Sequence, residues 1–184
     1  MFAPAGVALD SAGNIYVAND ASNKVTVYGA NADGNGAPIR TLSGANTQLN
    51  KPRGLTVDSA GHLWVANFGA NLLTEYATGA NGNASPIATI GGAKTRLSDP
   101  LGLGQDATGL LLVVNGSPGS VTGYANGPPF GNKAPTIFIG GAAARFADPT
   151  SVDVDAANRR YVTTASTCSD SARASQRRSS PAAR

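Results

Sequence analysis

One pattern recurs four times along this 184-residue chain, and it constrains the fold more than any other feature of the sequence. Pro4-Ala5-Gly6-Val7-Ala8-Leu9-Asp10 returns as Pro52-Arg53-Gly54-Leu55-Thr56-Val57-Asp58, as Pro100-Leu101-Gly102-Leu103-Gly104-Gln105-Asp106 and as Pro149-Thr150-Ser151-Val152-Asp153-Val154-Asp155. The prolines at 4, 52, 100 and 149 are spaced by 48, 48 and 49 residues. Behind each of the first three aspartates comes an apolar run closed by asparagine: Ile15-Tyr16-Val17-Ala18-Asn19, Leu63-Trp64-Val65-Ala66-Asn67 and Leu111-Leu112-Val113-Val114-Asn115. A third run ends at Tyr28, Tyr76 and Tyr124, and a fourth opens at Pro38, Pro86 and Pro135. The extra residue of the last interval lies between Tyr124 and Pro135, in a stretch rich in Gly, Pro and Asn, which makes that stretch a loop.

Each unit thus predicts four short strands. Asp10-Ser11-Ala12-Gly13 and Asp58-Ser59-Ala60-Gly61 are hairpin turns, with the aspartate accepting backbone N–H groups and glycine taking the positive φ. Several runs are apolar at every position, as a sheet covered on both faces requires. Four-stranded units at this period predict an all-β fold, a β-propeller of four-stranded antiparallel blades. About three and a half blades are present: 4–51, 52–99, 100–148 and a partial 149–164, forming an open arc or incomplete ring over residues 1–164. End blades left uncovered predict self-association.

The string Pro-x-Gly-apolar-x-apolar-Asp-x-x-Gly-x-apolar-aromatic-Val-Ala-Asn, at 4–19 and 52–67 and more weakly at 100–115, resembles the NHL repeat and its bacterial relatives. That resemblance implies a propeller whose relatives include protein- and RNA-binding modules, sensor domains, gluconolactonase-like hydrolases and streptogramin-lyase-like enzymes. It also implies relatives that are often secreted or associated with the cell envelope, although Met1-Phe2-Ala3-Pro4 is no signal sequence and the compartment is not fixed by the residues. A closed propeller has four to eight blades. The shortfall, with the loss of the pattern beyond Thr164, leads to the expectation of a truncated product of a larger propeller. The tail 165–184 reads as a disordered basic Ser/Arg/Ala segment.

Charge adds little. The formal +3 arises from the tail, where Arg173, Arg177, Arg178 and Arg184 face Asp170 alone, so residues 1–164 sum to zero and no nucleic-acid partner is expected. No apolar run is long enough to span a bilayer. Cys168, the single cysteine, excludes an internal disulfide.

The repeat sorts the polar residues. Asp10, Asp58, Asp106 and Asp155 recur in step and read as turn caps, not as a metal ring, because ligands must converge on one point. The second motif position varies through Ala5, Arg53, Leu101 and Thr150, as a binding surface would, and Arg53 is the one charged residue among them. Asn19, Asn67 and Asn115 close the second strands, where amides are placed either to meet a ligand at a propeller mouth or to satisfy local backbone. His62 is the one histidine, in a hairpin turn, and Glu75 the one glutamate, expected to face solvent. Trp64 shares a column with Tyr16, Leu112 and Tyr161 and reads as packing between blades. These residues predict no catalytic or metal-binding set and no cofactor. They favour a non-catalytic scaffold for a protein, glycan or small-molecule ligand, with Arg53, Asn19, Asn67 and Asn115 as candidate ligand residues. The alternative is a gluconolactonase-like hydrolase or streptogramin-lyase-like enzyme whose catalytic blades are missing.

Overall fold

The computed structural model describes residues 3–144 and 146–165; all of the expected tail beyond Ala165, Cys168 included, lies outside them. Three four-stranded antiparallel meanders follow one another, β1 (Pro4–Leu9) to β4 (Arg40–Leu42), β5 (Pro52–Val57) to β8 (Ala88–Gly91) and β9 (Pro100–Gln105) to β12 (Ile137–Gly140). Within them lie β2 (Ile15–Asn19), β3 (Lys24–Tyr28), β6 (Leu63–Asn67), β7 (Leu72–Tyr76), β10 (Leu111–Asn115) and β11 (Ser120–Tyr124). A two-stranded hairpin of β13 (Pro149–Val154) and β14 (Arg160–Thr164) completes the described residues. These are propeller blades, three whole and one half, and they do not close into a ring. No helix among the described residues is long and apolar enough to cross a membrane.

The turns form as their residues dictate. Asp10 Oδ1 accepts the N–H groups of Ala12 at 3.0 Å and Asn14 at 2.9 Å, and Asp58, Asp106 and Asp155 cap their own turns in the same way. Gly13, Gly61 and Gly109 hold φ of 80°, 81° and 83°, while the fourth turn places Asn158 there at 61°. The recurring aspartates are therefore scaffold.

The first strands β1, β5, β9 and β13 pack side by side and form the inner wall of the arc. Their contact explains the glycine of the motif. A Cβ on Gly6 would stand 2.1 Å from the Arg53 carbonyl oxygen, one on Gly54 2.6 Å from that of Leu101, and one on Gly102 2.7 Å from Ser151 Cα. No side chain fits where one inner strand rests on the next.

Strand alternation then builds the core between blades. Leu63 and Val65 of β6 join Tyr16, Ala18, Val25, Val27 and Leu42 of the first blade. Trp64 and Ala66 of the same strand turn the other way and join Leu103, Leu111, Val113 and Tyr124 of the third. Leu112, Val114 and Val121 of the third blade pack on Val152 of the hairpin. Trp64 is fully buried, as its column demands. Loops between strands lock the seams: Asn23 Oδ1 accepts the Lys51 N–H at 2.7 Å and Asn71 Oδ1 that of Asp99 at 2.7 Å.

The flank of the first blade has no neighbour among the described residues. Val7 and Leu9, repeat equivalents of Leu55 and Val57, are 65% and 61% exposed, whereas Leu55 is 5% exposed.

Candidate functional site

Where the inner strands begin, an open cavity of about 360 Å³ lies on the axis of the arc, lined by Ala3, Pro4, Ala5, Asp20, Arg53, Leu101 and Thr150. The motif's variable position from each of the four repeats, Ala5, Arg53, Leu101 and Thr150, reaches this one cavity. The fixed residues on either side hold strand and turn geometry, so these four are free to differ.

Arg53 supplies the cavity's positive charge. Its Nε donates to Asp20 Oδ2 at 3.0 Å, and its guanidinium carbon lies 3.9 Å from the centroid of the Phe68 ring. Asp20 opens the 3-10 turn Asp20–Ser22 behind β2, and Phe68 opens the equivalent turn Phe68–Ala70 behind β6. The two side chains thus hold the guanidinium from two adjacent blades, one by charge and one by its ring face. The pair remains partly open, with side chains 34% and 20% exposed. Neither Asp20 nor Phe68 was singled out by the sequence. They are repeat equivalents, but their residue types differ, and no column signal ties either to Arg53.

The three asparagines are occupied elsewhere. Asn67 and Asn115 are fully buried and Asn19 is 5% exposed. Nδ2 of Asn19, Asn67 and Asn115 donates to Thr26, Thr74 and Thr122 Oγ1 at 3.1, 3.0 and 3.1 Å. Oδ1 of Asn67 and Asn115 accepts the N–H of Asn50 and of Ser98, both at 3.0 Å. With donor and acceptor both engaged, the Asn67 and Asn115 amides pin the incoming linker of their blades to the second strand, while Asn19 is held through its donor to Val17 and Thr26. Asn19, Asn67 and Asn115 are not among the residues that line the cavity. A threonine seven residues after each asparagine was the signal in the sequence.

Glu75 also departs from expectation. It is 5% exposed, not solvent-facing, and its Oε1 lies 3.1 Å from His62 Nδ1. Its column holds Val27 and Gly123, so an acid here enters a position that is apolar in the first blade. Cross-strand pairing places it opposite Trp64 on the face turned to the third blade. His62 Nδ1 is also 3.6 Å from Asp58 Oδ2, and the three ligand atoms lie within 4.8 Å of one another. Burial pushes the Glu75 carboxyl up, the Asp58 charge adds to this, and His62 opposes it.

Inner strands around an axial cavity, flanked by four-stranded meanders, define a β-propeller protein. Within that class, residues 49–76, which run through β5, β6 and β7, match the NHL repeat. Residues 49–76 thus carry an NHL repeat, set in a chain that folds as β-propeller blades.

No curated protein matches the sequence. Among solved structures, a streptogramin B lyase superposes with a TM-score of 0.55 at 18% identity, over 88% of this chain and 48% of that one. Virginiamycin B lyase from Staphylococcus aureus gives 0.57 at 15% identity, over 88% and 49%. A putative 6-phosphogluconolactonase from Bacteroides uniformis gives 0.64 at 14% identity, over 88% and 47%. At such identities the likeness is one of fold. The chain spans about half the length of these structures.

Proposed function

We propose that this chain is a non-catalytic propeller scaffold whose axial cavity binds a small-molecule, glycan or protein ligand through Arg53. The observation that carries the reading is the meeting of all four variable motif positions at one cavity, with a single arginine among them. A guanidinium held on an aromatic ring keeps N–H groups directed for a carboxylate or a ring hydroxyl. Leu101, Pro4 and Ala5 offer apolar contact, and Thr150 a hydroxyl. That combination suits a ligand with an acidic or polyhydroxylated head and an apolar body, a sugar acid or the acidic end of a peptide.

A hydrolase or lyase of the kind found among the fold neighbours is the alternative. The cavity favours binding, because its lining holds neither histidine nor glutamate and its acid, Asp20, is ion-paired with Arg53. Self-association belongs to the same proposal: the exposed flank around Val7 and Leu9 is the repeat equivalent of a flank that the second blade buries against the first.

The test is calorimetric titration of the protein with sugar acids and acidic peptides, repeated with Arg53→Ala. Saturable binding that weakens about tenfold or more in the variant supports the proposal, as the loss of a charge-assisted hydrogen bond would. Lactone hydrolysis stimulated by divalent metal, or binding indifferent to Arg53, counts against it.

A further inference from the structure

Away from the axis, on the seam between the second and third blades, Asp58, His62 and Glu75 form an arrangement that no other blade repeats. In the first turn, Asp10 Oδ2 receives Asn14 Nδ2 at 2.8 Å; in the fourth, Asp155 Oδ2 receives Arg159 Nε at 2.6 Å. Asp106 Oδ2 receives Arg160 Nη2 at 2.8 Å. Each of those carboxylates is met by a donor that cannot bind a metal. Asp58 Oδ2 has only Asn126 Nδ2 at 3.4 Å and the imidazole at 3.6 Å, and a second carboxylate stands beside it. The side chains of Asp58 and Glu75 are 6% and 7% exposed, so two buried acids share one histidine. Trp64, paired directly across from Glu75, has its Nε1 buried without a partner among the described residues.

We propose that Asp58 Oδ2, His62 Nδ1 and Glu75 Oε1 bind a divalent transition ion of the zinc class at the seam between the second and third blades. Bonds of about 2.0–2.2 Å in a tetrahedral shell set neighbouring ligands about 3.3–3.6 Å apart. Of the observed separations from the imidazole nitrogen to the two carboxylates, 3.6 Å meets that range and 3.1 Å falls just short of it, and all three ligand atoms lie within 4.8 Å of one another. One imidazole with two carboxylates favours zinc over magnesium or calcium, which take oxygen ligands. Three protein ligands leave the fourth position to water or to a ligand entering the seam. His62, 34% exposed, is the side from which the ion would enter. The asparagine and threonine partners Asn126 and Thr78 come from the loops around it, Asn126 at Asp58 and Thr78 Oγ1 at the Ala60 carbonyl of the same turn. Both carboxylates gain from the cation, which cancels the repulsion between them. The site is separate from the axial cavity and does not rest on the ligand proposed there.

The experiment is equilibrium dialysis of the full chain against zinc chloride, with metal quantified per chain and the emission of Trp64, the single tryptophan, followed in parallel. One equivalent of zinc is expected, with a change in Trp64 emission at the same stoichiometry and no displacement by equal magnesium. Glu75→Gln and His62→Asn, the latter installing the residue of the first blade, should each weaken zinc at least about tenfold. Glu75→Val, the residue of the equivalent column, provides a variant with a known precedent in the fold and should abolish binding. Cys168→Ser should bind as the parent does, which keeps the tail thiol out of the account. Absence of stoichiometric zinc in the parent, or its retention in the His62→Asn, Glu75→Val double variant, overturns the proposal.

Discussion

Arg53 reaches back from the second blade to Asp20 of the first, Nε to Oδ2 at 3.0 Å, while Phe68 of its own blade lies beneath the guanidinium. The contact costs the fold little to lose. An ion pair this open contributes about 0.2–1 kcal/mol, and an exposed cation–π contact about 0.5–1 kcal/mol. Arg53→Ala should therefore leave the denaturation midpoint nearly unchanged while removing ligand affinity. Asp20→Asn, which frees the guanidinium, should strengthen an acidic ligand instead. Opposite signs in calorimetric titration of the two variants are the expected outcome; a parallel loss in both would assign the pair to stability alone.

Asn67 should behave in the reverse way. Truncation to alanine removes the partner of the buried Thr74 hydroxyl and of the part-buried Asn50 N–H, at a cost of about 1–3 kcal/mol for a group left unsatisfied. Urea unfolding should show Asn67→Ala strongly destabilised, with ligand affinity of the folded fraction unchanged. A stable variant that has lost ligand would restore the asparagines to the binding site.

The contrast between Arg53 and Asn67 marks how far the sequence could be read. Strands, turns and blade seams were legible because each repeat states the same pattern and the copies check one another. That the variable positions Ala5, Arg53, Leu101 and Thr150 meet at one cavity was foreshadowed as well, since a position that varies inside a fixed frame is released from structural duty; the role of Arg53 toward a ligand is the proposal. The asparagines were ambiguous because a recurring polar residue fits either role until its partners are known, and those partners lie 17 residues back and seven ahead. Glu75 was misread for a different reason. It was judged by its charge, whereas its column, with Val27 2% exposed, is a buried one. A charge in a buried column must find company, and the company is His62 and Asp58.

Gly54 offers a test of the inner wall. Alanine there would set Cβ 2.6 Å from the Leu101 carbonyl oxygen and the Leu103 nitrogen, both backbone atoms that cannot move alone. Overpacking of this kind costs about 1–3 kcal/mol. Gly29→Ala is the control, because a Cβ there meets nothing within 4 Å. Chemical denaturation should show Gly54→Ala destabilised and Gly29→Ala at or slightly above the parent.

The dependence of stability on pH should have two limbs. Burial would raise the Asp106 carboxyl, but bonds from the Thr108 hydroxyl, Arg160, and the Leu110 and Thr108 N–H groups outweigh it and hold it at about 2, against 3.8 for a free carboxyl. A depressed folded value stabilises the protein above pH 3.8, and the contribution, about 2 kcal/mol, is lost as pH falls towards 2. At the other end, burial pushes the Tyr76 and Tyr124 phenols up to about 12 from 10.0. Raised values give stability that is complete below pH 10 and lost as pH rises through 12. Urea midpoints measured across pH should fall at both ends. Asp106→Asn should flatten the acid limb and leave the alkaline one.

Val7 and Leu9 carry the last expectation. Their equivalents Leu55 and Val57 sit between blades, Leu55 within the core shared with the first blade and Val57 packed against it, so the flank presents a surface shaped for another blade. Two large aliphatic side chains at 65% and 61% exposure sit beside a run of unpaired strand faces, an arrangement that drives association in water. Light scattering should show mass rising with concentration, and Val7→Glu with Leu9→Glu should return the protein to a monomer. Both residues lie on β1 but outside the cavity lining, so binding through Arg53 should survive the change. A parent that stays monomeric at high concentration would show that these blades hold together without a neighbour on that side, and that the seams among the three whole blades supply the stability by themselves.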